Sequence, residues 1–113
     1  MRRAARCAVF AALLVAACKP SEGTDGYAFA GKMYDRPAVL VNKREYQSFS
    51  ELRAALPARK SREWKDLHVS RGAWGQLHAD GSCTIHFINP EVSYQPEWIG
   101  HETAHCFYGE WHP

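Results

Sequence analysis

The segment from Pro96 to Tyr108 constrains this chain more than any other stretch. Pro96 suits the first turn of a helix, where a missing N–H costs nothing. Gly109 suits its end, because glycine reaches left-handed backbone without a Cβ to obstruct it. Between them the apolar pair Trp98-Ile99 can anchor the helix in a core, and His101-Glu102-Thr103-Ala104-His105 follows directly. Residues four apart share a helix face, so both imidazoles can reach one ion. Glu102 stands about 100° round the axis from His101 and can approach a water on that ion. The residue types match zinc chemistry. Zinc accepts imidazole nitrogen and lowers the pKa of its bound water to about 7, which lets a nearby carboxylate take the proton.

The opposite end reads as a secretion signal. Arg2, Arg3 and Arg6 precede a charge-free run from Cys7 to Ala17. A membrane span takes about 20 apolar residues, so this run is too short and fits the hydrophobic part of a signal peptide over residues 1–17. Its end, Val15-Ala16-Ala17-Cys18, resembles a bacterial lipobox. The resemblance implies cleavage before Cys18 and lipidation of that cysteine, which then anchors the chain by several acyl chains. Lys19, where Asp favours inner-membrane retention, implies an outer-membrane address with the domain facing the periplasm. Ordinary cleavage near the alanine pair, with Cys18 incidental, is the alternative.

Loss of the signal takes three of the 14 basic residues and none of the 12 acidic ones, so a precursor charge of +2 becomes −1. No basic face remains to suggest nucleic acid. Of four cysteines, Cys7 leaves with the signal and Cys18 is taken by lipid. Cys83 and Cys106 remain, an even pair in an oxidising compartment, and are expected to form a disulfide; two buried thiols are the alternative. A cross-link or a metal suits a chain this short, whose core is modest.

Between the ends, the order suggests a small single α+β domain over residues 36–113, with a short sheet, one N-terminal helix and the histidine-bearing C-terminal helix. Residues 18–35 carry Pro20, Gly23, Gly26 and Gly31 and read as a lipidated N-terminus and tether. Ala38-Val39-Leu40-Val41 reads as a first strand. Ser48 and Glu51 have capping-box spacing and Pro57 ends the segment, so a short helix lies between, with Phe49, Leu52 and Leu56 on one face. The charged residues 58–67 read as a loop or a frayed helical turn. Gly72–His78 and Ser82–Ile88 read as a hairpin through Ala79-Asp80-Gly81. In its second strand Cys83, Ile85 and Phe87 face one way and Thr84, His86 and Ile88 the other.

The stretch from His101 to His112 resembles the zincin metallopeptidases, and its HExxH–Gly–His order is most similar to the metzincins. In that pattern glycine stands three residues after the second histidine and a third histidine six after it. Here Gly109 and His112 stand four and seven after His105, and no Met-containing turn follows in the sequence. The resemblance implies a zinc ion held by His101, His105 and His112. Glu110, His86 or His78 are substitutes for the third place. It implies Glu102 as general base and later proton donor to the leaving amine; separately, the hydroxyls of Tyr108 and Tyr94 are candidates to stabilise an oxyanion, with packing as the alternative for a helical Tyr108. The resemblance also implies an extended peptide or protein substrate, lying along strand Cys83–Ile88 at a sheet edge. A Cys83–Cys106 disulfide then ties that strand to the helix. Trp111 is placed to shield the metal from solvent.

Two other readings use the same residues. One is a non-catalytic module, in which structural zinc is closed by four protein ligands including one such as His86. The other is a metal-free envelope lipoprotein that binds a partner. Glu102 discriminates the first, since structural zinc has no use for it; metal content discriminates the second.

Overall fold

The computed structural model describes residues 21–57, 67–69 and 72–113. The expected signal peptide, the expected lipidation site Cys18 and most of the loop expected at 58–67 lie outside the described residues. Those described form a mixed α+β domain in the order β1 (Val41–Tyr46), α1 (Phe49–Ala54), β2 (Leu67–Val69), β3 (Ala73–Leu77), β4 (Cys83–Ile88) and α2 (Pro96–Tyr108). The four strands make one sheet in the order β1-β4-β3-β2.

The hairpin is as its sequence requires. β3 and β4 pair antiparallel, Ala73 opposite Phe87 and Leu77 opposite Cys83. At the turn Gly81 takes a φ of 87°, and Asp80 accepts from the Ser82 amide at 2.8 Å. The first strand is displaced from the expected one. Ala38–Leu40 precede the ladder, and the pairing strand is the polar run Val41–Tyr46, parallel to β4. Val39, ahead of the ladder, and Val41, its first residue, pack against the core, whereas Leu40 between them is exposed.

Strand order also corrects a second expectation. β4 is not a sheet edge: it lies between β1 and β3, and the edges are β1 and β2. No extended substrate can add to β4, because both its hydrogen-bonding sides are taken. A central strand is covered on both faces, and β4 reads that way. Cys83, Ile85 and Phe87 join Ala73 and Cys106 in one cluster, with Trp98 and Ile99 of α2 packed against it. Ile88 joins Trp74 and Leu52 of α1 in another. Since neighbouring strand residues point to opposite faces, the sheet carries a small core on each side.

α1 begins where the capping residues put it. Ser48 Oγ accepts from the Glu51 amide at 3.1 Å, and the Glu51 carboxylate accepts from the Gln47 amide at 3.0 Å. Of the three residues expected on its buried face, Leu52 is buried, Leu56 is partly buried and Phe49 is exposed. α2 has the bounds read from the sequence. It ends at Gly109, whose φ is 72° and whose amide donates to the His105 carbonyl.

Candidate metal centre

α2 supplies two of the site's histidines and the chain after Gly109 supplies the third. His101 and His105, one turn apart, bring their Nε2 atoms to 3.3 Å. The tail folds back so that His112 Nε2 lies 3.1 Å from that of His105 and 3.2 Å from that of His101. All three rings are held from behind. His101 Nδ1–H donates to Asp25 Oδ2 at 2.8 Å, His105 Nδ1–H to the Gly109 carbonyl at 2.7 Å, and His112 Nδ1–H to the Pro113 carbonyl at 2.9 Å.

Those partners decide the chemistry. A carboxylate or carbonyl oxygen only accepts, so each Nδ1 carries the proton and each neutral ring is left with a lone pair on Nε2. Three lone pairs then converge on one point with no hydrogen between them. That arrangement repels itself unless a cation fills it. Three ligands of a tetrahedral ion with metal–nitrogen bonds near 2.0–2.1 Å stand roughly 3.3 Å apart, close to the spacing found. Backing of a metal histidine by a carboxylate or carbonyl is the usual outer shell of such sites. The residues present therefore fit a metal ion, and this cluster is where the described residues can hold one.

Burial favours the ligand form. It pushes the His101 imidazole below its ordinary pKa, with the neighbouring His112 adding to the effect, while Asp25 offsets part of it. For Asp25, partial burial raises the carboxyl, but the hydrogen bonds from His101 and the Tyr27 amide outweigh it and hold the acid below the usual carboxylate value. Tyr27 stands over the site, its ring 4.7 Å from that of His101 and 4.4 Å from that of His112. Trp111 is buried and packs against His101 at 5.0 Å and His105 at 5.4 Å. Beside His101 opens a cleft of about 700 Å³, floored by Gly100 and Ala104 and walled by Tyr27, Phe29, Tyr108 and Trp111.

Other sequence-derived residues fall in varied places. Cys83 and Cys106 are bonded, Cα to Cα 5.7 Å, and join β4 to α2 one residue past His105. Glu102 is fully buried on the helix face toward the sheet, where a Cβ on Gly75 would lie 2.9 Å from its Oε2. Tyr108 lines the cleft, edge-on to Phe29, whereas Tyr94 is exposed and away from it. The substitutes for the third ligand are elsewhere. His86 stacks on Trp74, His78 bonds Thr84 at 2.7 Å, and Glu110 lines a separate groove beside His112. Asp25 and Tyr27 escaped the sequence reading, because a glycine-rich stretch 76 residues from His101 carries no local signal of contact with it.

The class so defined is a disulfide-bonded α+β domain with a cluster of three histidines, from one helix and the tail behind it, close enough to hold a metal ion. Comparison with protein-family models, with curated proteins and with solved structures finds no match to this chain.

Proposed function

We propose that the protein is a zinc-dependent hydrolase, of the peptidase type, exported and held by lipid at Cys18 on the periplasmic side of the outer membrane. The convergence of three Nε2 lone pairs, two of them from an HExxH helix, carries the reading. His101, His105 and His112 hold the metal. Bound there, zinc supplies Lewis acidity toward water and toward a substrate carbonyl. Three protein ligands favour a catalytic over a structural ion, because structural sites are closed by four, and the described residues offer no fourth at this cluster. Glu102 is the proton carrier, taking a proton from water and returning it to the leaving amine. The cleft beside His101 receives part of an extended peptide, and Tyr108 on its wall is the candidate donor to the oxyanion.

A second reading keeps the metal and drops the hydrolysis. Its support is Glu102, which is buried toward Gly75 and not among the residues lining the cleft.

Metal analysis of the mature chain, made with its disulfide, tests both. Wild type is expected to carry one zinc per chain, His101→Ala none, and His112→Ala a weakened complement. Glu102→Gln is expected to keep zinc and lose cleavage of denatured envelope protein by a factor of at least ~10². A wild type that binds no supplied zinc sinks the metal site. A Glu102→Gln variant as active as wild type sinks the general base and leaves the metal-bound module.

A further inference from the structure

The stretch ahead of β1 is built into the metal centre. The last carbonyls of a helix lack intrahelical donors, and this stretch supplies two of them. The Met33 amide donates to the Tyr108 carbonyl at 3.0 Å and the Arg36 amide to that of Phe107 at 3.1 Å, while Ala30 donates to the Trp111 carbonyl at 2.8 Å. Phe29 stacks on Trp111, ring planes 12° apart. At Gly109 the approach is so close that a Cβ would meet that of Met33 at 2.9 Å. Upstream, Asp25 bonds His101 and Tyr27 covers His101 and His112.

These contacts land on the ligands or on what positions them. Asp25 sets the orientation of His101. Gly109 is the residue whose carbonyl holds His105. Trp111 precedes His112 in the tail and is gripped from both Ala30 and Phe29. A segment far away in sequence thus holds all three ligands in register.

We propose that Asp25 is a positioning residue of the metal site, and that residues 25–36 form a strap whose docking and metal occupancy are one coupled equilibrium. The docked strap preorganises three imidazoles for a zinc-type divalent ion, and the bound ion locks the strap down. The coupling follows from linkage: an ion that binds only the assembled site stabilises every contact the assembly needs. The inference rests on the metal-binding part of the reading above and is independent of hydrolysis.

The test uses the disulfide-bonded chain with zinc alone as probe. Zinc affinity is measured by competition with a chromophoric chelator for wild type, Asp25→Ala, Asp25→Asn and Asp25→Glu. Removing an outer-shell partner of a metal histidine typically costs 10–100-fold in affinity. We expect a loss of that size in Asp25→Ala, a smaller one in Asp25→Asn, which keeps an acceptor oxygen, and recovery in Asp25→Glu. The second readout needs no variant. Trypsin cleavage after Lys32, an exposed strap residue, is followed by mass with zinc and with chelator. Zinc is expected to slow that cut at least ~10-fold, since cutting needs local opening of the strap. Zinc binding by wild type, together with unchanged affinity in Asp25→Ala and a zinc-independent cut after Lys32, overturns the strap and leaves the metal site standing. No zinc binding by wild type overturns both.

Discussion

Two histidines of this domain show how surroundings decide what one residue type does. His86 lies flat on Trp74, ring centroids 3.5 Å apart, with its Nδ1 hydrogen-bonded to the Tyr46 hydroxyl at 2.8 Å. Burial, then the charges of Arg44 and His78, push its pKa from 6.5 down to about 4. His101 is buried too, but Asp25 stands behind it, and two other imidazoles face its Nε2. One ring is a core piece; the other is the proposed ligand. The difference predicts acid sensitivity. The folded state keeps His86 neutral while the unfolded chain protonates it near 6.5. Its stabilisation is therefore complete above 6.5 and is lost as pH falls from there toward 4. In zinc-free protein, His86→Phe is expected to lose roughly 1–3 kcal/mol less than wild type between pH 7 and 4.5. Urea unfolding at the two pH values checks this, and equal losses remove His86 as the cause.

At the scale of elements, α2 is held at both ends by different devices. Its sheet-facing side is pinned by Cys106 to Cys83, a cross-link over a sequence separation of 23. Its end is pinned by Gly109 and the strap. Closing a loop of that size stabilises by about 3 kcal/mol in the chain-entropy account. The double variant Cys83→Ala with Cys106→Ala is therefore expected to lose about that much yet still bind one zinc at saturation, because the three ligands are organised by the tail and the strap. Calorimetry with parallel zinc analysis separates the two effects. Loss of zinc from a still-folded double variant would show that the cross-link itself sets ligand geometry. The same scale shows where local signals sufficed. Proline at the first turn and glycine at the last bounded α2, and Asp80-Gly81 bounded the hairpin, since caps and tight turns depend on a few adjacent residues. β1 was misplaced because the apolar run Ala38–Val41 meets the ladder only at Val41, and pairing is settled by what lies alongside.

For the whole molecule, a metal matters more than it would in a larger protein. A chain this short buries a smaller fraction of its surface than a larger protein does, and the sheet here divides its core into two small clusters. A ligand that binds only the folded state adds stability by mass action, about 2.7 kcal/mol at a hundredfold excess over its dissociation constant. Zinc at that excess is expected to raise the melting temperature by roughly 10–20 °C, as about 1 kcal/mol shifts a domain of this size by roughly 4–8 °C. A chelator is expected to reverse it. A melting temperature indifferent to both would mean that the histidines hold nothing.

What the sequence determined by itself was local in origin: two imidazoles on one helix face, the ends of that helix and a turn, to which it added the expected pairing of Cys83 with Cys106. Helical period, capping and turn chemistry act over a few residues, so they can be read along the chain. Tertiary structure alone decided that β4 is central and not an edge, that Glu102 faces the sheet, and that Asp25 and Tyr27 stand behind and over His101, 76 residues away from Asp25. Those are contacts between segments with no shared pattern. They form because three converging lone pairs and the unsatisfied end of a buried helix need partners, and the nearest chain in space, not in sequence, provides them.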